Sequence, residues 1–184
     1  MSETLSVESL VKEAKATYQR GDYVEAANKF EAARQAYQAA NDALNAAEMA
    51  NNASVAFLQA NEAEMAYKSV EGTDEIFSQA GDLRRQGMAL GNLAAALEAL
   101  DRDDEAMEMY QQSADVLAQA GEDQLRAAVM QSLSMMQFRS GKQLQALATM
   151  QNGLEGVKKP SVKQNFLKKL LHIPVDVATR NKPS

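Results

Sequence analysis

The chain has 184 residues, of which 46% are hydrophobic, 24% charged and only 5% aromatic. It contains no cysteine, which excludes disulfides, thiolate metal sites and a cysteine nucleophile. The formal net charge is −6, but residues 158–184 carry seven basic side chains and one acidic one, which leaves −12 for the rest of the chain. Because an acidic body repels phosphates, we expect no nucleic acid among its partners.

The composition favours helices, since alanine, leucine and methionine are abundant and proline is first met at Pro160. The sequence does not open with a basic segment followed by an apolar core, and it has no apolar stretch of roughly 18 residues. We therefore expect an all-α, cytoplasmic protein without a secretory signal or a transmembrane helix. Binding to a membrane is not the leading expectation.

A period of forty residues runs through the chain, because segments that start at Gly21, Asn61, Asp101 and Gly141 align without a gap. Glycine or asparagine at a turn can adopt the left-handed conformation that ends a helix, and an acidic residue after it can cap the next one. Each repeat is therefore predicted to be two antiparallel helices. An alanine recurs in the sixth column, where we expect two helices to cross closely; it is Ala26, Ala66, Ala106 and Ala146.

Eight helices are predicted in chain order, near 5–20, 22–40, 43–60, 62–80, 82–100, 102–120, 122–140 and 142–157. They pair into repeats near 5–40, 43–80, 82–120 and 122–157. A further amphipathic helix over 161–172 would cover the last hydrophobic face as a C-terminal cap. We expect one repeat domain over 1–173 and a flexible tail over 174–184.

The run Gly21-Asp22-Tyr23-Val24-Glu25-Ala26 resembles the inner turn of a tetratricopeptide repeat, and so does the stretch Leu90 to Ala106. The forty-residue spacing is similar to that of the kinesin light chain type, in which both helices are longer than in the common repeat. The resemblance covers about 5–157. It implies a right-handed α-α superhelix of about four hairpins plus the capping helix. The first helices of the repeats would line a concave groove for an extended peptide or a helix of a partner protein.

An asparagine in the long-repeat family often faces this groove, and the matching column here contains Asn52 and Asn92. A side-chain amide can both donate to and accept from a peptide backbone. The alternative is that these asparagines only cap local backbone or face solvent. The candidate partner-binding residues on this face are Asn51, Asn52, Gln59, Asn92, Gln131, Ser132, Met135 and Arg139. Since Met135 and Met136 are adjacent, they point in different directions, and at least one should lie on a contact surface.

The sequence offers no catalytic constellation. His172 is the only histidine, so neither a metal site nor a nucleophile–base pair can be assembled around it. The acidic residues at 101–105 lack the spacing of a calcium loop. We therefore expect a non-enzymatic protein without a cofactor or a bound metal.

Three alternatives remain open beside the binding of a partner peptide. Poorly covered ends of a repeat array could pair two copies into a homodimer. The basic segment 158–182 could bind a membrane surface, although a capping helix with solvated lysines accounts for the same pattern. The basic tail could also fold back and occupy the groove.

Overall fold

The computed structural model describes residues 6–158, 160–161 and 164–165. Within them the chain is helical and contains no strand, which confirms the expected all-α class of helical hairpins. It divides into two compact units, Met1–Glu122 and Asp123–Ser184. The helices are α1 Val7–Gln19, α2 Tyr23–Ala39, α3 Ala43–Gln59, α4 Ala63–Val70, α5 Thr73–Gln79, α6 Leu83–Ala99, α7 Asp103–Gln119, α8 Asp123–Arg139 and α9 Gln143–Glu155.

The first unit contains α1 to α7. Its hairpins are α1 with α2, α3 with α4 and α5, and α6 with α7. Successive hairpins pack side by side, because α3 contacts α2 and α6 as well as its own hairpin partners. The first helices of neighbouring repeats, α3 and α6, therefore lie next to each other, as the repeat pattern predicts.

The turns at the twenty-residue spacing share one geometry. At the end of α2, Asn41 has a φ of 56°, and the backbone N–H groups of Asn41 and Asp42 donate to Gln38 O at 3.0 Å and Tyr37 O at 2.9 Å. This pair of bonds is a Schellman motif, which needs a residue in the left-handed region. A positive φ recurs at the other predicted turn residues; these are Gly21, Asn61, Gly81, Asp101, Gly121 and Gly141.

Side-chain caps distinguish the two kinds of turn in the first unit. At the turns between hairpins, Asp42 accepts from Asn45 N at 3.1 Å and Asp82 accepts from Arg85 N at 2.9 Å. At the turns inside hairpins, the N-cap residues Asp22, Glu62 and Arg102 make no such bond. The predicted acidic caps are thus confirmed at Asp42 and Asp82, while the cap predicted at Glu122 stays a prediction.

Small residues occupy the interior, as the alanine column predicted. Ala26, Ala66 and Ala106 are each fully buried in the first unit, and Ala146 is 3% exposed in the second. Close packing extends beyond this column, because a Cβ atom on Gly87 would lie 2.6 Å from Leu117 Cγ. The hairpin of α6 and α7 depends on the missing side chain at that point.

The helix predicted near 62–80 is wrong, because the structure has two helices there. Gly72 adopts a φ of 76°, which ends the path of α4 at Val70 and lets α5 begin at Thr73. An L-residue side chain is strained in that conformation, whereas glycine is not. The apolar spacing continues through Val70 and Phe77 across the break, which is why the periodicity alone missed it.

The second unit contains the hairpin of α8 and α9. Its helices pack closely, since Ser134 Oγ donates to Ala146 O at 2.7 Å and a Cβ on Gly153 would lie 2.8 Å from Met130 Cβ. After it, the backbone N–H of Ser161 donates to Gln164 Oε1 at 2.8 Å and the backbone N–H of Gln164 donates to Ser161 Oγ at 3.2 Å, which is the bond pair of a capping box. Most of the predicted cap helix 161–172 and all of the predicted tail 174–184 lie outside the described residues. A single domain over 1–173 stays a prediction.

Candidate partner-binding face

Two adjoining pockets open on the first unit along the surface of α1, α3 and α6. One has a volume of about 240 Å³ and lies between α1, α2 and α3. Its walls combine aromatic and aliphatic side chains with an exposed lysine; they are Lys15, Tyr18, Gln19, Phe30, Asn52 and Val55. We call it the aromatic pocket.

The second pocket, also of about 240 Å³, lies between α3, α5 and α6. Asn51, Asn52 and Asn92 all line it, and Asn52 and Val55 line the aromatic pocket as well. We call it the amide pocket. The remaining wall residues are Glu48, Val55, Phe77, Arg84, Arg85 and Met88. One helix, α3, therefore forms the partition between the two pockets.

The amides predicted for the groove are brought together at this pocket, but they are not equivalent. Asn51 is 9% exposed, and its Nδ2 donates to Ala47 O at 3.0 Å and Thr73 Oγ1 at 2.9 Å. Asn92 is half-buried and donates its own Nδ2 to Asn51 Oδ1 at 3.1 Å. Asn52 is also half-buried, and its side-chain amide makes no hydrogen bond with the described residues. Two of the three amides, on Asn52 and Asn92, thus keep unused hydrogen-bonding capacity.

Arg85 forms a fixed, charged wall of the amide pocket. Its guanidinium lies 5.1 Å from the ring centroid of Phe77 and donates to Asp82 at 2.6 Å and to Glu48 at 3.3 Å. Hydrogen bonds from the backbone N–H and the guanidinium of Arg85 hold the pKa of Asp82 below its ordinary value. Arg84 pairs with Glu122 at 3.0 Å. Both arginines therefore have acidic partners, and this wall carries little net charge.

Five of the predicted site residues do not line the two pockets. Gln59 is exposed at the end of α3, and the others belong to α8 in the second unit. On α8, Met135 is 55% exposed while Met136 is 1% exposed, so the expected divergence of these methionines is confirmed. A role in partner binding stays a prediction for these residues; they are Gln59, Gln131, Ser132, Met135 and Arg139.

Sequence reasoning missed Thr73, which is 4% exposed and bonded to Asn51. A signal was present, because the repeat alignment places Thr73 opposite Ala33 and Ser113, and Gly72 opposite Ala32 and Gln112. Glycine followed by a β-branched residue is unfavourable inside a helix. The pair therefore marks the break that carries Thr73 to the pocket.

The described part of the chain has neither a cluster of metal-binding side chains nor a helix suited to cross a membrane. No group of three or more histidine, aspartate or glutamate side chains there has an arrangement that could hold a metal ion. None of the helices in the same residues combines the length and the apolar character required to cross a bilayer.

A comparison with protein families places the chain in relation to a known family. The model of the family described as soluble NSF attachment protein, SNAP, matches residues 6–175 and so extends over the helices of both units. This is an adaptor family of helical repeat proteins that bind other proteins. A search of curated proteins finds no match to the chain.

Proposed function

Because the chain belongs to the soluble NSF attachment protein family, we propose that it is a non-enzymatic adaptor that binds a segment of a partner protein across the aromatic and amide pockets. The family supports protein binding in general. The aromatic and amide pockets support this face of the first unit as the place where the partner binds. We further propose that the repeats are of the long tetratricopeptide type and that the protein acts in the cytoplasm.

The observation that carries this proposal is the shared wall of the two pockets. Asn52 and Val55 line both, so a ligand passing over α3 would contact the two pockets in succession. Pockets that combine apolar walls with a few polar groups are the usual form of binding sites. The aromatic pocket would take an apolar side chain of the ligand against Tyr18 and Phe30.

The amides of Asn52 and Asn92 suit the backbone of that ligand. Each has hydrogen-bonding groups without a partner among the described residues, and an extended peptide presents N–H and C=O groups at regular intervals. Such contacts bind a backbone without depending on its side chains. Specificity for one partner sequence would then come from the side chains of the aromatic pocket and from Arg84 and Arg85 in the wall of the amide pocket.

The name of the family refers to attachment to NSF, and the family binds protein partners. We propose the same class of partner for this chain. The basic segment 158–182, for which binding to a membrane is the alternative, lies almost entirely outside the described residues.

A random peptide library displayed on phage tests the proposal, with the full chain as bait and the affinity of each selected peptide measured by calorimetry. Asn52→Ala combined with Asn92→Ala should lower the affinity for the selected peptides roughly tenfold, because each lost hydrogen bond is worth about 0.5–1.5 kcal/mol. Asn28→Ala is the matched control, since Asn28 is exposed on α2 and lines neither pocket. Unchanged affinity in the double variant, or a library that yields no binder, would refute the proposal.

Self-association is a second candidate, favoured by apolar side chains on the second unit. Leu144 is 85% exposed and Leu147 53% exposed, one turn apart on α9, and Phe138 at the end of α8 is 62% exposed. Exposed apolar groups of this kind often mark an interface between proteins. Sedimentation velocity over rising concentration should then show a dimer that Leu144→Lys dissociates. A monomer at every concentration counts against this candidate.

A further inference from the structure

A chain of hydrogen bonds connects Asn92 on α6 with the junction of α4 and α5. Asn92 Nδ2 donates to Asn51 Oδ1, and Asn51 Nδ2 donates to Thr73 Oγ1. The Thr73 hydroxyl donates in turn to Val70 O at 2.7 Å. Asn51 and Thr73 are both buried, so water does not compete freely for these bonds.

The direction of the bonds that Asn51 makes follows from Ala47. Its backbone oxygen lies 3.0 Å from one terminal atom of the Asn51 amide, and a carbonyl oxygen can only accept. That atom of Asn51 is therefore the nitrogen, because the reverse orientation would place two oxygens in contact. The other terminal atom is the oxygen, which requires a donor, and Asn92 supplies its Nδ2.

Thr73 completes the fixation of Asn51. An amide nitrogen carries two protons, and Ala47 O takes one while Thr73 Oγ1 takes the other. Thr73 can accept because its own proton is committed to Val70 O. The break at Gly72 is what places this hydroxyl beside α3. In the next repeat the matching hydroxyl, on Ser113, instead donates to Gly87 O at 2.6 Å and reaches no amide.

We propose that this relay fixes the orientation of the Asn92 side chain, so that its oxygen is the group offered to a ligand in the amide pocket. The Asn92 oxygen has no hydrogen bond to the described residues. Asn92 keeps its oxygen and the one Nδ2 proton that Asn51 does not use, and the relay fixes where each of them lies. At the position of the oxygen the amide pocket takes a ligand group that donates a hydrogen bond, and the backbone N–H of an extended peptide is such a group. Asn51 is then a positioning residue rather than a contact for the partner. This inference rests on the proposed function for its ligand, but the relay itself does not.

Nuclear magnetic resonance of the full chain tests the relay without any ligand. One side-chain amide proton of Asn92 should exchange with solvent several-fold more slowly than either proton of Asn52, which has no partner. Asn51→Leu should abolish the difference, since leucine fills a similar volume and makes no hydrogen bond. Thr73→Ser should preserve it because the hydroxyl remains. Ser113→Ala is the matched control and should also preserve it.

Peptides selected from the phage library test the ligand chemistry. They would be synthesised with one backbone N–H methylated at a time, which removes one donor per peptide. At a single position, methylation should weaken binding to the wild-type chain roughly fivefold, as expected for one hydrogen bond. The loss at that position should disappear on Asn51→Leu. A merely structural role for Asn51 would weaken all the methylated peptides and the parent peptide by the same factor.

The outcomes separate this inference from the proposed function. Equal exchange of the Asn52 and Asn92 amide protons overturns the relay even when peptides bind. A methylation profile that Asn51→Leu leaves unchanged overturns the role of Asn92 as an acceptor, although the binding face stands. A library without binders overturns the proposed function and, with it, the assigned ligand.

Discussion

The carboxylate of Asp82 accepts two hydrogen bonds from Arg85, from its backbone N–H at 2.9 Å and from its Nε at 2.6 Å. The first bond caps α6 and the second fixes the guanidinium over Phe77. One side chain thus both begins a helix and positions a wall of the amide pocket.

Asp82→Ala should lower the free energy of unfolding by about 0.5–2 kcal/mol at neutral pH, the usual effect of losing an N-cap. The pKa of Asp82 is lower in the folded chain than its ordinary 3.8. Its contribution is therefore present above that value and is lost as the pH falls through the lower folded-state pKa. Urea titrations of both proteins at several pH values should show the difference shrinking in acid.

Asp22→Ala is the control for that measurement. Asp22 is also an N-cap residue, but its side chain makes no cap bond and is 53% exposed beside Arg20. We expect Asp22→Ala to change the free energy of unfolding by no more than about 0.5 kcal/mol. Equal effects at the two positions would contradict the role given to Asp82.

Gly87→Ala should destabilise the chain, because the new Cβ would lie 2.6 Å from Leu117 Cγ and Leu117 is fully buried. Overpacking costs about 1–3 kcal/mol, and the better helix propensity of alanine returns at most about 1 kcal/mol. Adding Leu117→Ala should remove the clash, so the two changes should be strongly non-additive in a double-mutant cycle. Additive effects would mean that this crossing tolerates a wider spacing.

Ser54→Ala should stabilise the chain by about 0.5–2 kcal/mol. Ser54 Oγ is fully buried and has no hydrogen-bond partner among the described residues, so the change removes an unpaired polar group from the core. The repeat alignment places Ala94 at the same position in the next repeat. Thermal unfolding followed by circular dichroism measures the effect.

Ser134→Ala provides the opposite case at the same repeat position. Ser134 is 4% exposed, and its hydroxyl donates to Ala146 O at 2.7 Å. Its removal should cost about 1 kcal/mol. A loss of stability in Ser54→Ala as large as that in Ser134→Ala would show that Ser54 has a partner after all.

Val55→Trp should block the binding of selected peptides without unfolding the chain. Val55 is half-buried on the partition between the two pockets, so a larger side chain there would fill space that the ligand needs. We expect affinity to fall at least roughly tenfold, the ratio that corresponds to 1.4 kcal/mol. Val24→Trp is the control, because Val24 is 52% exposed on α2 and lines neither pocket. Equal affinities for the two variants would place the ligand elsewhere.

Much of the fold could be predicted from the sequence because the repeat is regular. The helix predicted near 43–60 is α3 Ala43–Gln59, and the one near 82–100 is α6 Leu83–Ala99. These bounds follow from turn residues that a forty-residue spacing makes visible. The break at Gly72 was missed since the apolar pattern continues through it, and a helix ends there for a reason of backbone conformation rather than of hydrophobicity.

The candidate site was less predictable. The repeat column correctly brought Asn52 and Asn92 to the same pocket, because both occupy one register of neighbouring first helices. It could not distinguish the buried amide of Asn51 from the other two. That distinction depends on Thr73, which lies twenty-two residues away in the chain and comes within 2.9 Å of Asn51 only through the break at Gly72.

The partition formed by Asn52 and Val55 has a consequence for how tightly a ligand can be held. When one part of a ligand is bound in the aromatic pocket, the part connected to it meets the amide pocket at an effective concentration set by the short linker between them. This concentration is commonly in the millimolar range. Two weakly binding fragments joined across the partition would therefore bind with an avidity that neither reaches alone. Shortening a partner segment by the few residues that reach the second pocket would release it.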